Sequence, residues 1–171
     1  DPDMKTGIAR PKFEKYLSIA AKDSLENMTE MLEAMTYLGY FNMENGNYTK
    51  AKEYYNRMIN LNPRNNEGKI RGYNGIAALE TRAAGQEKTL EGKIAILGRA
   101  AEAYGKILEI DPNNTNVRNS LKWVQDYQVS VKKGINPNEI KGVITDSAGT
   151  PIAYASVRVK DTAAENLTNG K

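Results

Sequence analysis

Apolar side chains recur every three or four residues along most of the chain, which is the spacing of one face of an α-helix. Gly46 and Pro63 interrupt this pattern, and Asn47 is well placed to cap the helix that follows it. The pattern therefore predicts antiparallel helices joined by tight turns. The apolar positions that define the helices are Phe13, Tyr16, Leu17, Ala20, Met28, Met31, Leu32, Met35, Leu38, Tyr48, Ala51, Tyr55, Met58, Ile59, Leu97, Ala100, Tyr104, Ile107 and Leu108.

Two of these helices carry the same motif. Residues 51–63 read Ala-x3-Tyr-x7-Pro, and residues 100–112 read the same. The unit resembles the tetratricopeptide repeat, a helix-turn-helix of 34 residues with the pattern W-x2-L-G-x2-Y…A-x3-F…P. Met35 and Asn42 stand where that pattern has its Trp and its first Tyr. The positions that match it are Leu38, Gly39, Ala51, Tyr55 and Pro63.

The resemblance implies a mainly α fold, an α-solenoid of about six helices in antiparallel pairs, over residues 1–133. Its predicted parts are a half repeat at 11–23, a repeat at 25–63, an extended repeat at 66–112 and a capping helix at 115–132. The extended repeat is longer than 34 residues, and the additional residues lie around Glu80–Gly92. Either a longer loop or two lengthened helices account for them. The half repeat is consistent with an array that continues upstream.

After a linker at 134–139 the pattern changes to alternation, which predicts strands at 140–145 and 151–160. Residues 140–171 resemble the start of a carboxypeptidase-regulatory-like domain, a transthyretin-like β-sandwich. The matching positions are Ile140, Gly142, Ile144, Thr145, Asp146, Gly149, Pro151, Ala155, Val157, Val159, Thr168 and Gly170. Since a sandwich needs about 100 residues, this short β segment is incomplete. We expect it to pack on the last helices or to pair with a second molecule, which would give a homodimer.

Composition matters mainly through what it excludes. The chain has no Cys and no His, so disulfides, zinc fingers and Ser-His-Asp catalysis are excluded. Its 24 basic and 21 acidic residues are too balanced to indicate nucleic acid or an anionic membrane as partner. No apolar run is long enough to predict a membrane span. We predict no enzyme, no catalytic or metal-binding residue and no cofactor.

The repeat resemblance implies a binding surface for proteins, because the first helix of each pair lines a concave groove for peptides or partner helices in that family. Lys and Asn residues that clamp a carboxylate in some members are absent, since Thr36 and Tyr40 stand at those places. For Tyr37, Trp123 and Tyr127 the alternative is packing between helices. The predicted partner-binding residues are Glu33, Thr36, Tyr37, Tyr40, Met43, Glu44, Tyr73, Ile76, Asn119, Trp123 and Tyr127.

The predicted function is a non-catalytic interaction scaffold in an exported or envelope-associated bacterial assembly. Two alternatives stay open: carbohydrate or cell-envelope binding led by the β segment, and a helical face used only for homo-oligomerisation. The absence of Cys and the appended sandwich favour the periplasm or cell surface of a Gram-negative bacterium, although the cytoplasm is not excluded. Three triplets that begin with Asp-Ser or Asp-Thr are similar to bacterial O-glycosylation sites, which agrees with an exported protein. A role of these residues in turns and helix caps explains the triplets equally well.

Overall fold

The computed structural model describes residues 6–23, 25–134, 145, 147, 148, 150, 156–158 and 165–167. The chain divides into two compact units, Asp1–Ile135 and Asn136–Lys171. The described residues of the first unit are mainly helical. Those of the second unit include two short strands.

Six helices follow one another in the described part of the first unit, which confirms the predicted mainly α architecture. Each helix packs on the next, and α2 also contacts α4 across the intervening helix. This neighbour-to-neighbour packing is typical of a solenoid. The helices are α1 (Arg10–Ala20, extended by a 3-10 turn at Ala21–Asp23), α2 (Met28–Glu44), α3 (Tyr48–Asn60), α4 (Asn66–Gln86), α5 (Leu90–Ile110) and α6 (Thr115–Lys132).

Side-chain caps fix where four of the helices begin. The predicted cap at Asn47 is confirmed, because its side-chain oxygen accepts a hydrogen bond of 3.3 Å from the amide of Lys50. Asn65, Thr89 and Asn114 cap α4, α5 and α6 in the same way. Capping hydrogen bonds therefore fix the residue at which each of these helices begins, and packing between helices fixes which helices pair.

The extended repeat gains its length in its helices. Helices α4 and α5 have 21 residues each, whereas α2 and α3 have 17 and 13. Helix α4 runs through Gly85 to Gln86, and only Glu87–Thr89 connects it to α5. The residues by which this repeat exceeds 34 therefore lie in two lengthened helices, and the longer loop that we considered as the other explanation is not present.

Close packing between the pairs depends on Tyr55. A Cβ added to Gly39 in α2 would lie 2.5 Å from Cε1 of Tyr55, and a Cβ on Gly75 in α4 would overlap the same ring. Tyr55 itself is buried. Its ring thus fills the space between one helix pair and the next, as the sequence predicts.

The described strands of the second unit are β1 (Ser156–Arg158) and β2 (Glu165–Leu167). They pair antiparallel, with Val157 opposite Asn166. Strand β1 falls inside the predicted strand at 151–160, whereas β2 was not predicted. The predicted strand at 140–145 lies outside the described residues except for Thr145. The likeness to a β-sandwich therefore stays a prediction.

Candidate functional site

A depression of about 600 Å³ opens on the helical unit along the first helices of successive pairs. Residues of α2, α4 and α6 line it, together with Tyr104 of α5. We call this depression the groove. Its lining residues are Met43, Ala78, Thr81, Arg82, Tyr104, Asn119, Ser120 and Trp123.

Tyr104 contributes an aromatic ring to the lining of the groove. Tyr104 occupies the position in the second motif that Tyr55 occupies in the first. Burial raises the pKa of Tyr104, and a hydrogen bond with Ser120 offsets part of that shift. The phenol therefore stays neutral at physiological pH and offers a ring face with a polar edge.

The lining residue Arg82 takes part in an ion pair at the edge of the groove. The guanidinium of Arg82 in α4 donates to the carboxylate of Glu44 in α2, and the hydrogen bond to Glu44 raises the pKa of Arg82. Both side chains are partly exposed, so the pair contributes little to stability by itself. Its role is geometric, because it links the two helices at the edge of the groove.

Trp123 of α6 also lines the groove. It is 54% exposed, and its ring lies 5.4 Å from the ring of Tyr127 at an interplanar angle of 55°. Tyr127 in turn packs against a buried cluster that includes Leu97 and Val124. Tyr127 thus holds the indole in place while the outer face of Trp123 stays accessible, an arrangement typical of interface anchors.

Among the predicted α2 residues, one lines the groove and one contacts a lining residue. Met43 lines it, and Glu44 holds the lining residue Arg82. Tyr40 is 45% exposed one turn before Glu44. Glu33 and Thr36 are exposed further along the same helix. Whether they bind a partner stays a prediction.

Tyr37 differs from the other predicted α2 residues, because it is half-buried among aromatic rings. Its ring centroid lies 4.6 Å from that of Phe13 in α1 and 6.2 Å from that of Phe41. It also packs against the main buried cluster. This placement favours the alternative in which Tyr37 packs between helices.

On α6, the predicted residues Asn119 and Trp123 line the groove, and the ring of Tyr127 lies against the indole. Their role in binding a partner stays a prediction. The two predicted α4 residues do not line the groove. Tyr73 and Ile76 line a separate depression of about 260 Å³ that α3 and α5 border. At about 100° per residue, their face of α4 is nearly opposite that of Ala78 and Arg82.

The sequence prediction therefore missed five groove residues. A signal for the register existed in the glycines of α4, since Gly68, Gly72 and Gly75 recur at intervals of four and three residues. All three lie against α3, where an added Cβ would meet Met58, Ile59 or Tyr55. The missed residues are Ala78, Thr81, Arg82, Tyr104 and Ser120.

The separate depression contains a buried carboxylate that the sequence prediction also missed. Glu80 is 3% exposed, and it accepts hydrogen bonds from Lys52 Nζ at 2.8 Å and from Arg99 Nε at 3.0 Å. Burial alone would raise the pKa of Glu80, but the hydrogen bonds from Arg99 and Lys52 outweigh it and hold the pKa below its usual value. Glu80 therefore joins α3, α4 and α5.

Within the described ranges, no group of three or more acidic residues is arranged to hold a metal ion. The described helices also include none that is both long and apolar enough to cross a bilayer.

Comparisons with known proteins support the repeat assignment. Residues 32–65 match the family model of the tetratricopeptide repeat, which confirms the predicted repeat there. The photosystem I assembly protein Ycf3 of Rippkaea orientalis (strain PCC 8801 / RF-1) is 37% identical over 82 residues, which cover 45% of this chain and 44% of that protein. No solved structure matches the chain. The likeness of residues 140–171 to a carboxypeptidase-regulatory-like domain is not shown by these matches.

Proposed function

We propose that the chain is a non-catalytic scaffold that binds a peptide or a helix of a partner protein along the groove. The observation that carries this proposal is Trp123, a large aromatic side chain held at the rim by Tyr127 with half of its surface exposed. A bound apolar side chain would contact the indole on one side and Met43 or Tyr104 on the other. Burial of such an anchor is a main source of affinity at protein interfaces.

The repeat match supports a protein partner, because repeats of this type stack into extended binding surfaces. The similar protein is named as an assembly factor, which favours a role in assembling a complex. Since the match spans less than half of that protein, its particular client is not part of the proposal. The exported location and the carbohydrate alternative stay predictions from the sequence.

A displayed library of short helical and extended peptides, selected on the 171-residue chain, tests the proposal. We expect Trp123→Ala to weaken the selected peptides by about tenfold to a hundredfold, which corresponds to about 1–3 kcal/mol. Tyr40→Ala tests whether the contact extends along α2. Helical content by circular dichroism should not change, because both side chains are largely exposed.

Tyr73→Ala is the matched control, since it removes an aromatic ring from α4 on the side away from the groove. Peptides that bind equally well to the Trp123→Ala chain, or that lose affinity only with Tyr73→Ala, would contradict the proposed site.

A further inference from the structure

The lining of the groove carries almost no net charge. Among the described residues that line it, Arg82 alone is charged. The guanidinium of Arg82 donates to the carboxylate of Glu44, so this charge is compensated at the edge of the groove. The hydroxyls of Thr81 and Ser120 donate to backbone carbonyls of their own helices, at 2.8 and 3.1 Å. The groove therefore offers a bound segment apolar surface and a cation that already has a partner.

The Glu44–Arg82 pair is accessible to a bound segment, because the two side chains are 30% and 41% exposed. An acidic side chain that reached this edge would meet the carboxylate of Glu44 beside a guanidinium that is already engaged. A basic side chain would meet the like charge of Arg82. Either one would lose water without gaining an unpaired opposite charge, which is unfavourable. The pair thus disfavours charged side chains of both signs at this edge of the groove.

An uncharged segment does not incur this cost. Its apolar side chains would be buried against Met43, Tyr104 and Trp123, which also line the groove. Depletion of charge is typical of the core of protein interfaces. Building on the proposed function, we propose that the groove binds an uncharged, apolar segment of the partner protein and that Glu44 sets this specificity by compensating Arg82.

Glu44→Gln separates the charge of this residue from its geometry. Glutamine has nearly the same size, and its amide oxygen can accept a hydrogen bond from the guanidinium, but it carries no negative charge. The variant groove therefore keeps the link between α2 and α4 and gains an uncompensated positive charge. It should accept acidic segments that the unmutated groove rejects.

A randomised library of displayed peptides, selected in parallel on the 171-residue chain and on the Glu44→Gln variant, tests the proposal. On the unmutated chain we expect peptides without charged residues in the segment that depends on Trp123. Their affinity should change less than about twofold when salt is raised tenfold, because no uncompensated charge lines the groove. On Glu44→Gln we expect enrichment of Asp and Glu. A selected peptide with one added Glu should bind this variant about threefold to tenfold more tightly than it binds the unmutated chain.

Glu67→Gln is the matched control. It removes the carboxylate partner of another arginine of α4, Arg71, which is not among the described residues that line the groove. It should therefore leave the selection of peptides unchanged. The double variant E44Q/R82Q also removes the positive charge, so the gain for acidic peptides should disappear. Circular dichroism checks that each variant keeps its helical content.

Different results would contradict the uncharged partner, the role of Glu44 and the proposed function. Peptides that depend on Trp123 but are rich in charged residues, or that lose affinity as salt is raised, overturn the uncharged partner and leave the proposed function in place. Equal selection by the unmutated chain and Glu44→Gln, or an equal gain with Glu67→Gln, overturns the role of Glu44. If no selected peptide depends on Trp123, the proposed function fails and the specificity fails with it.

Discussion

Tyr55 shows how single residues set the spacing of the helix pairs. Its ring occupies space that Gly39 and Gly75 leave open on either side. Burial raises the pKa of Tyr55 to about 12, so the phenol is neutral over the physiological range. Neighbouring pairs can therefore approach closely around an uncharged ring.

Gly75→Ala should destabilise the protein although alanine is the better helix former. Helix propensity favours alanine by about 1 kcal/mol, but the added methyl group would overlap the ring of Tyr55. Overpacking of this kind costs about 1–3 kcal/mol, and the buried ring has little room to move. Urea unfolding followed by circular dichroism measures the net change.

Gly105→Ala is the control for that substitution, because a Cβ there meets no atom within 4 Å. It should raise the free energy of unfolding by about 0.5–1 kcal/mol through propensity alone. If Gly75→Ala stabilised the protein as much as Gly105→Ala, the close contact between α4 and Tyr55 would be wrong.

Among the helices, Glu80 is the main polar link. Its carboxylate is buried in α4, whereas its partners Lys52 in α3 and Arg99 in α5 are about half exposed. Removing the carboxylate would leave two solvated cations and a poorly satisfied buried group at position 80. Removing the carboxylate should therefore lower the free energy of unfolding by about 1–3 kcal/mol, which is the cost of leaving a buried polar group unsatisfied.

Glu80→Gln should lower the free energy of unfolding by that amount at neutral pH. The pKa of Glu80 is lower in the folded chain than in the unfolded chain, so its contribution is present above the unfolded pKa and lost as pH falls through the folded one. The unmutated chain should therefore lose more stability than the variant below about pH 4.5. Glu109→Gln, which removes an exposed partner of Lys106, is the control and should leave the stability at neutral pH nearly unchanged.

At the same scale, α2 and α4 show what the sequence could predict. The motif from Leu38 to Pro63 identified the first repeat, because each of its small or aromatic positions has a packing role. Helix α4 packs against both α3 and α5, so apolar residues surround much of its circumference. Its remaining groove side carries Ala78, Thr81 and Arg82, which periodicity does not distinguish from an ordinary solvated face. The register of α4 could therefore not be read from apolar spacing.

At the scale of the molecule, the groove is built by helices that lie far apart in the sequence. Residues of α2, α4 and α6 line it, together with Tyr104 of α5. Apolar spacing predicts each helix by itself but not which sides of separate helices meet, so the full lining of the groove could not be predicted from the sequence.

Homodimerisation through the second unit is the prediction that concerns the whole chain. Strands β1 and β2 have three residues each, and within the described residues they pair only with one another. A two-stranded ladder is marginal in water, and an unpaired strand edge can recruit another chain. We therefore expect light scattering to give a dimer mass for the 171-residue chain and a monomer mass for a chain ending at Ile135. Val157→Pro, which removes a backbone donor from β1 without shortening the chain, should shift the full chain toward monomer. Equal masses for all three proteins would show that the strands do not mediate association.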